Sequence, residues 1–466
     1  MQTVEKALKI NLDTSIYGTI AEIGAGQEVA RNFFQAGGAA GTIAKTMSAY
    51  DMQVSDSIYG QEPDKRYVTQ NRVEKMIHRE YDLVIERLSS VRPESTRFFA
   101  FADTVAAKGY KSTRPCHGWM GIKYQISPDD EPCEIVLHVI MKDKGNLSQQ
   151  RALGILGVNL IYGAFYLYNN PEQLIEELLD TVGWERIEID MIRFTGQRFS
   201  HIDNRLMALH LVKLDHTRSV MFTSEGENVR AADFLYKKNI ILLRGTFRPI
   251  TNIHLDIIKA GEKQILKQNP ELQEKVVFIT EISMSKLVNK GNLDKEDFLG
   301  RVDTLNALGF NVQITNFTRH FQLKRYLAGC TKEQILIMLG ARKLRELFNE
   351  HYYTDLDGGI NEGLGVLFAG NTQLFVYPKQ GSDGTRIEVD TLQVDEHMKY
   401  LFKHFLQNNK MIPLTDVSIQ HSSSDKRRVS EALLNGDGTW REKVPEVVYR
   451  MIKERGLFGF ESESKI

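Results

Sequence analysis

The chain has 466 residues, of which 42% are hydrophobic and 26% charged, and its 59 Lys plus Arg nearly cancel 60 Asp plus Glu to leave a net charge of −1. That length calls for two or three hydrophobic cores. The near-neutral balance excludes a strongly basic nucleic-acid-binding surface as the main function, and Cys116, Cys133 and Cys330 match neither a disulfide framework nor a zinc spacing.

The opening MQTVEKALKINLD lacks the apolar core of a secretory leader, and with the cysteines read as reduced thiols the expectation is a cytoplasmic protein. Residues 19–23 read as a short strand, followed by the turn Gly24-Ala25-Gly26 and a helix from Glu28. This outlines a dinucleotide-binding turn, but Val29 stands where a third glycine belongs, and Asp51 is a late candidate for the acidic partner. Glycines serving tight turns are the plainer reading. A helical period follows over 67–89, with Val73, Met76, Ile77, Tyr81, Ile85 and Leu88 on one side. Strands are expected at 97–101, 121–125 and 134–141, the last alternating Ile135, Leu137, Val139 and Met141. The apolar run 153–168 falls short of the roughly 18 residues of a membrane span, so it reads as a buried helix. Its Gly154, Gly157 and Gly163 would permit close helix packing. A helix over 171–182 and strands at 187–194, 207–212 and 219–222 complete an α+β N-terminal domain, residues 1–232.

The join falls at 231–238, and from 238 to 466 the pattern becomes α/β. Strands at 239–243, 275–280, 311–316, 334–338 and 373–377 alternate with helices at 254–266, 295–308, 320–328, 341–350 and 396–407. Such alternation predicts a parallel sheet covered on both faces, a Rossmann-like domain.

Its first strand leads into the most informative segment, ILLRGTFRPITNIHL, residues 241–255. The strand ends near Arg244, a turn contains Gly245, Thr246 and Pro249, and Thr251 or Asn252 can cap the next helix. His254 then lies at a helix N-terminus, where free N–H groups and the helix dipole favour anions. This segment resembles the first signature of the nucleotidyltransferase superfamily, in particular nicotinate-nucleotide adenylyltransferase. The likeness rests on Gly245, Thr246, Phe247, Pro249, Ile250, Asn252, His254 and Leu255. Arg248 replaces an aspartate of the family pattern, Thr251 its first histidine and Ile253 a glycine. A second stretch, HSSSDKR at 421–427, resembles the family's Ser-Ser-Thr-x-Ile-Arg motif, and VPEVVYRMIKERGLF at 444–458 resembles its C-terminal helices. Between them, ILIMLGARKLREL resembles the strand that ends in Gly-Ala-Asp, with Arg342 in place of the aspartate.

The resemblance implies adenylyl transfer from ATP to a small phosphorylated substrate such as nicotinate mononucleotide, with magnesium accompanying the ATP. On this template His254 meets the α-phosphate, Ser423, Ser424 and Arg427 hold the triphosphate, and Gly245, Thr246, Phe247 and Thr251 line the nucleotide. Arg248 either compensates for the missing histidine or binds a different anion. The alternative is a catalytically degenerate nucleotide- or anion-binding protein with an assembly or regulatory role. No nucleic-acid or membrane partner is expected, and the apolar glycine-rich segments point to a homo-oligomer. Weaker constellations are Cys116-His117 with His138, the turn Asp355 to Gly359, and the polar cluster His201, Asp203, Asn204 and Arg205.

Overall fold

The computed structural model describes residues 1–24, 26–63, 65–106, 116–268, 270–289, 292–380, 386–415, 425–435 and 437–460. They form two compact units, Met1–Arg218 and Ser219–Ile466.

In the first unit the elements are α1 (Thr3–Asn11), β1 (Ile16–Gly24), α2 (Val29–Ala36), β2 (Ile43–Ala49), α3 (Met52–Tyr59), α4 (Gln70–Leu88), β3 (Arg97–Ala106), β4 (Cys116–Tyr124), β5 (Cys133–Met141), α5 (Asn146–Tyr166), α6 (Pro171–Leu178), β6 (Ile187–Thr195) and α7 (Asn204–Lys213). The strands make a six-stranded sheet in the order β2-β1-β3-β4-β5-β6. β1 is parallel to both β2 and β3, whereas β3 to β6 form an antiparallel meander. Side chains alternate across the sheet, so Ile20, Phe99, Phe101 and Leu137 join one core with Ala7, Val29 and Leu156. Ala21, Ala102 and Trp119 join the opposite one with Met76 and Ile77 of α4. The α4 stripe is the one its period predicts, and the helix starts where the Thr69 hydroxyl accepts the Arg72 N–H.

Residues 207–212, expected as a strand, instead lie inside α7. The Asp203 carboxylate accepts the Arg205 N–H and starts a helix there, and Leu-, Ala- and Met-rich sequence favours that state. Three members of the polar cluster around it have structural partners: Asp203 pairs with Arg205, and the Asn204 amide bonds both backbone groups of Phe194.

The second unit contains β7 (Ser219–Phe222), β8 (Asn228–Val229), α8 (Ala231–Phe234), β9 (Asn239–Arg244), α9 (Asn252–Gln268), β10 (Val276–Ser283), the short pair β11 (Val288–Asn289) and β12 (Asn292–Leu293), α10 (Lys295–Asn306), β13 (Asn311–Thr315), α11 (His320–Cys330), β14 (Ile335–Gly340) and α12 (Ala341–Leu347). There follow α13 (Gly359–Phe368), β15 (Thr372–Tyr377), the short pair β16 (Lys379–Gln380) and β17 (Arg386–Ile387), α14 (Lys399–Gln407), β18 (Met411–Pro413), α15 (Asp425–Leu434) and α16 (Glu446–Arg455). Eight strands form one sheet, ordered β18-β15-β14-β9-β10-β13-β7-β8. From β9 the chain winds outward through β10 and β13, then returns to the other side of β9 for β14, β15 and β18, all parallel. This is the α/β doubly wound order, and the carboxyl ends of β9 and β14 meet where the winding reverses.

The division falls before the expected join at 231–238. β7 pairs antiparallel with β13, Phe222 opposite Val312, and Ala231 and Leu235 enter the core of the second unit. Residues 219–237 therefore belong to the sheet that follows them. Among the described residues no helix is long and apolar enough to cross a membrane.

Candidate functional site

The turn after β9 is built around two buried rings. The Gly245 N–H donates to the Glu281 carbonyl at 3.0 Å, which carries the β9–β10 pairing one residue past the strand. A Cβ on Gly245 would lie 2.8 Å from the Phe247 ring, so glycine is needed there. Phe247 adopts a left-handed φ of 45° and is fully buried. Its ring centroid is 5.1 Å from that of His254. Thr246 is exposed, whereas Thr251 and His254 are buried.

At the start of α9 the Thr251 N–H donates to His254 Nδ1 at 3.0 Å, and the Thr251 hydroxyl lies 2.9 Å from the same nitrogen. A backbone N–H can only donate, so Nδ1 is the acceptor and the neutral ring carries its proton on Nε2. His254 is thus oriented as a donor through Nε2.

Arg248 does not project freely. Its Nε lies 2.5 Å from Asp297 Oδ1, and Arg301 Nη2 lies 2.5 Å from the other oxygen. Arg301 also donates to the carbonyls of Thr246 and Lys286, each at 3.0 Å. The Arg248 guanidinium further reaches the Phe458 carbonyl at 3.4 Å. The turn is therefore clamped onto α10 and the C-terminal segment.

Ser423 and Ser424 lie outside the described residues, as does the Arg427 side chain, although Arg427 belongs to α15. Further along that helix the Ser430 hydroxyl donates to the Arg248 carbonyl at 3.0 Å. The helix that carries Arg427 is thus tied to the turn that carries Arg248.

Two groups at this edge of the sheet were not singled out from the sequence. Glu281, at the end of β10, is fully buried between Arg244 (Nε 2.8 Å from Oε2) and Thr315 (hydroxyl 2.5 Å from Oε1). Burial raises its carboxyl to about 7, against the opposing pull of Arg244 and Thr315. Arg244 also donates to the Phe317 carbonyl. His320, at the start of α11, is held down at about 3 by desolvation and by the Arg244 and Lys343 charges, so its ring stays neutral. The signal available in the sequence was position alone: Glu281 sits near the carboxyl end of β10, which is beside β9, and His320 follows the end of β13, the next strand out. Arg342 is exposed at the start of α12, 3.5 Å from Glu346.

In the first unit the glycine-rich turn does not offer its helix end to a phosphate. The Glu22 carboxylate already accepts the Val29 and Ala30 N–H groups at 3.0 and 3.2 Å. Asp103 lies beside it, fully buried, and among the described residues neither of its oxygens has a hydrogen-bond partner. A Cβ on Gly26 would come within 2.1 Å of Asp103 Oδ1. Desolvation raises Glu22 to about 6 and Asp103 well above the usual carboxylate range.

His117 and His138 come together: His117 Nδ1 is 3.0 Å from His138 Nε2, and His138 Nδ1 is 2.5 Å from Asp190 Oδ1. A bulge opposite His138 and Val139 leaves Asp190 as the extra residue of β6, turned toward His138. Among the described residues no group of three or more His, Cys, Asp or Glu is placed to hold a metal.

No family model and no curated protein matches the chain. Solved structures similar to it include the competence/damage inducible protein CihA from Agrobacterium tumefaciens, at 18% identity over 34% of this chain and 93% of that one, with a TM-score of 0.26. A competence or damage-inducible protein from Enterobacter asburiae is 12% identical over 35% of this chain and 95% of its own, with the same TM-score of 0.26. A competence-damaged protein (CinA) superfamily member from Escherichia coli is 16% identical over 33% of this chain and 81% of its own, at a TM-score of 0.23.

Proposed function

We propose that the second unit is a nucleotidyltransferase-type module that binds ATP over the turn from Gly245 to His254. It passes the adenylyl group to a small phosphorylated acceptor such as nicotinate mononucleotide, a step of NAD biosynthesis in the cytoplasm. The observation that carries this reading is the Thr251–His254 pair at the head of α9. It fixes one imidazole N–H donor beside the positive end of a 17-residue helix. The likeness of residues 241–255 and 421–458 to the adenylyltransferase motifs supports it, as does the reversal of strand order next to β9.

In the reaction an acceptor phosphate oxygen bonds to the α-phosphorus of ATP while the bond to pyrophosphate breaks, with no covalent enzyme intermediate. His254, the helix end and Arg427 would stabilise charge on the phosphoryl oxygens. Asp297 and Glu281, the carboxylates placed around this turn, are already paired with arginines. These residues do not form a magnesium cage, and no step is assigned to a protein-held metal. The ion is expected to arrive on the triphosphate.

Binding without fast turnover is the second reading. Arg248 is committed to Asp297, and Thr251 cannot carry the charge of the histidine it replaces. Loss of one charged donor in such a site costs about 2.7–4 kcal/mol, roughly 10²–10³ in rate. Incubation with ATP, magnesium and nicotinate mononucleotide should release pyrophosphate, and His254→Ala should lower the rate at least tenfold. A nucleotide-dependent rise in melting temperature without pyrophosphate would select the second reading. No release and no thermal shift with any nucleotide would sink both.

A further inference from the structure

The helix α1 is apolar on two sides. Facing inward, Ala7 and Ile10 are fully buried, and so is Lys6, whose ammonium is held by Asp180 at 2.9 Å, Asn159 at 3.1 Å and Glu177 at 3.5 Å. Facing outward, Val4, Leu8 and Leu12 are 49%, 37% and 66% exposed. Their spacing of four residues sets them in one row along the helix. Beside that row an open groove of about 540 Å³ is lined by Glu5, Leu8, Lys9, Leu12, Asp13 and Tyr166. A surface helix ordinarily turns its apolar stripe to the core and keeps its charges outside. Here a lysine has been taken inside with its partners while an aliphatic row faces water, which is the pattern of a helix covered on both sides.

We propose that this row seats a second copy of the chain, with α1 antiparallel to the partner's α1 about a two-fold axis. A self-complementary patch is what such symmetry requires, and the charges along the groove fit it. With the axis level with Ala7, Glu5 stands opposite the partner's Lys9, and Lys9 opposite the partner's Glu5. In the same register Leu8 drops between the partner's Val4 and the partner's Leu8. Both charges are already held in place: Glu5 accepts the Gln2 N–H at 2.9 Å, and the Lys9 ammonium lies 4.2 Å from the Tyr166 ring centroid. Little side-chain ordering is left to the association itself. Neither a different protein nor the rest of the same chain would need this reciprocal pairing.

The test is the mass of the full chain in solution, by light scattering and sedimentation, at several concentrations. The wild type should be a dimer of twice 53.3 kDa. Leu8→Glu should give a monomer with an unchanged circular dichroism spectrum, because Leu8 contributes little to the fold of the single chain, and its melting temperature should lose only the part that depends on concentration in the wild type. Lys9→Glu should weaken dimerisation at least tenfold, and Glu5→Lys combined with Lys9→Glu should recover it, because the pair is restored with its signs exchanged. A monomeric wild type, a dimer indifferent to Leu8→Glu, or a double variant no better than Lys9→Glu would each overturn the proposal.

Discussion

Arg248 and His254 differ in what a single sequence can say about them. His254 follows a strand, a turn and a cap, all within about ten residues, so its place at a helix start could be read locally. The partner of Arg248 is Asp297, which lies on α10 after a complete βα excursion, and nothing near Arg248 announces it. Glu281 and His320 were missed for a related reason, since each owes its shift first to burial in the folded unit, with Arg244 opposing that shift at Glu281 and adding to it at His320. If Arg248 chiefly clamps the turn, Arg248→Ala should destabilise the protein by about 1–3 kcal/mol in urea titrations, because Asp297 loses one of two partners. Nucleotide affinity should then change much less than stability does. In the first unit, Glu22 and Asp103 have folded-state values above their ordinary ones, so the native protein binds more protons than the unfolded chain. That stability is complete below the ordinary values of 4.5 for Glu22 and 3.8 for Asp103, and it is lost as pH rises through about 6 for Glu22, with the Asp103 loss extending upward. The wild-type denaturation midpoint should therefore fall as the pH rises from 4.5 through about 6, and Asp103→Asn should flatten that fall.

Elements long enough to show a period were legible, and short apolar runs were not. The stripe of α4 and the alternation of β5 follow directly from their spacing. The stretch at 207–212 is too short for periodicity to separate strand from helix, and the Asp203 cap decided it. β18, at three residues, left no pattern to read. The glycines of α5 were read as sites of close packing, and they are: a Cβ on Gly154 would lie 2.6 Å from Glu28 Cβ, and one on Gly157 2.4 Å from Val29 Cγ2. Ala is the better helix former by about 1 kcal/mol, yet overpacking costs about 1–3 kcal/mol. The second effect wins because β-branched Val29 cannot swing away cheaply. Gly157→Ala should therefore lower the urea midpoint, whereas Gly329→Ala, where a Cβ meets nothing within 4 Å, should not lower it by the same amount.

On the scale of the molecule, alternating strands and helices sufficed to read a parallel sheet in the second half, but not where that half begins. β7 precedes the first parallel strand and pairs antiparallel with β13, a partner some ninety residues later. Loop and strand signals carry no information about such a distant pairing. The position of the cut is open to test. A fragment starting at Ser219 should fold cooperatively and melt higher than one starting at residue 238, by several degrees, since the shorter one leaves the edge of β13 bare. Circular dichroism melts of the two fragments would decide this, and equal melting would contradict the placement of β7.

The margins of this second sheet have a consequence of their own. One ends in β8, two residues long, and the other in β18, three residues closed by Pro413, which has no backbone N–H to offer. A foreign strand seeking to extend the ladder finds almost no hydrogen-bonding rail at either border. Heating this unit short of its melting point should accordingly yield neither fibrils nor thioflavin-binding material, and such assembly should appear only after the borders themselves have unravelled.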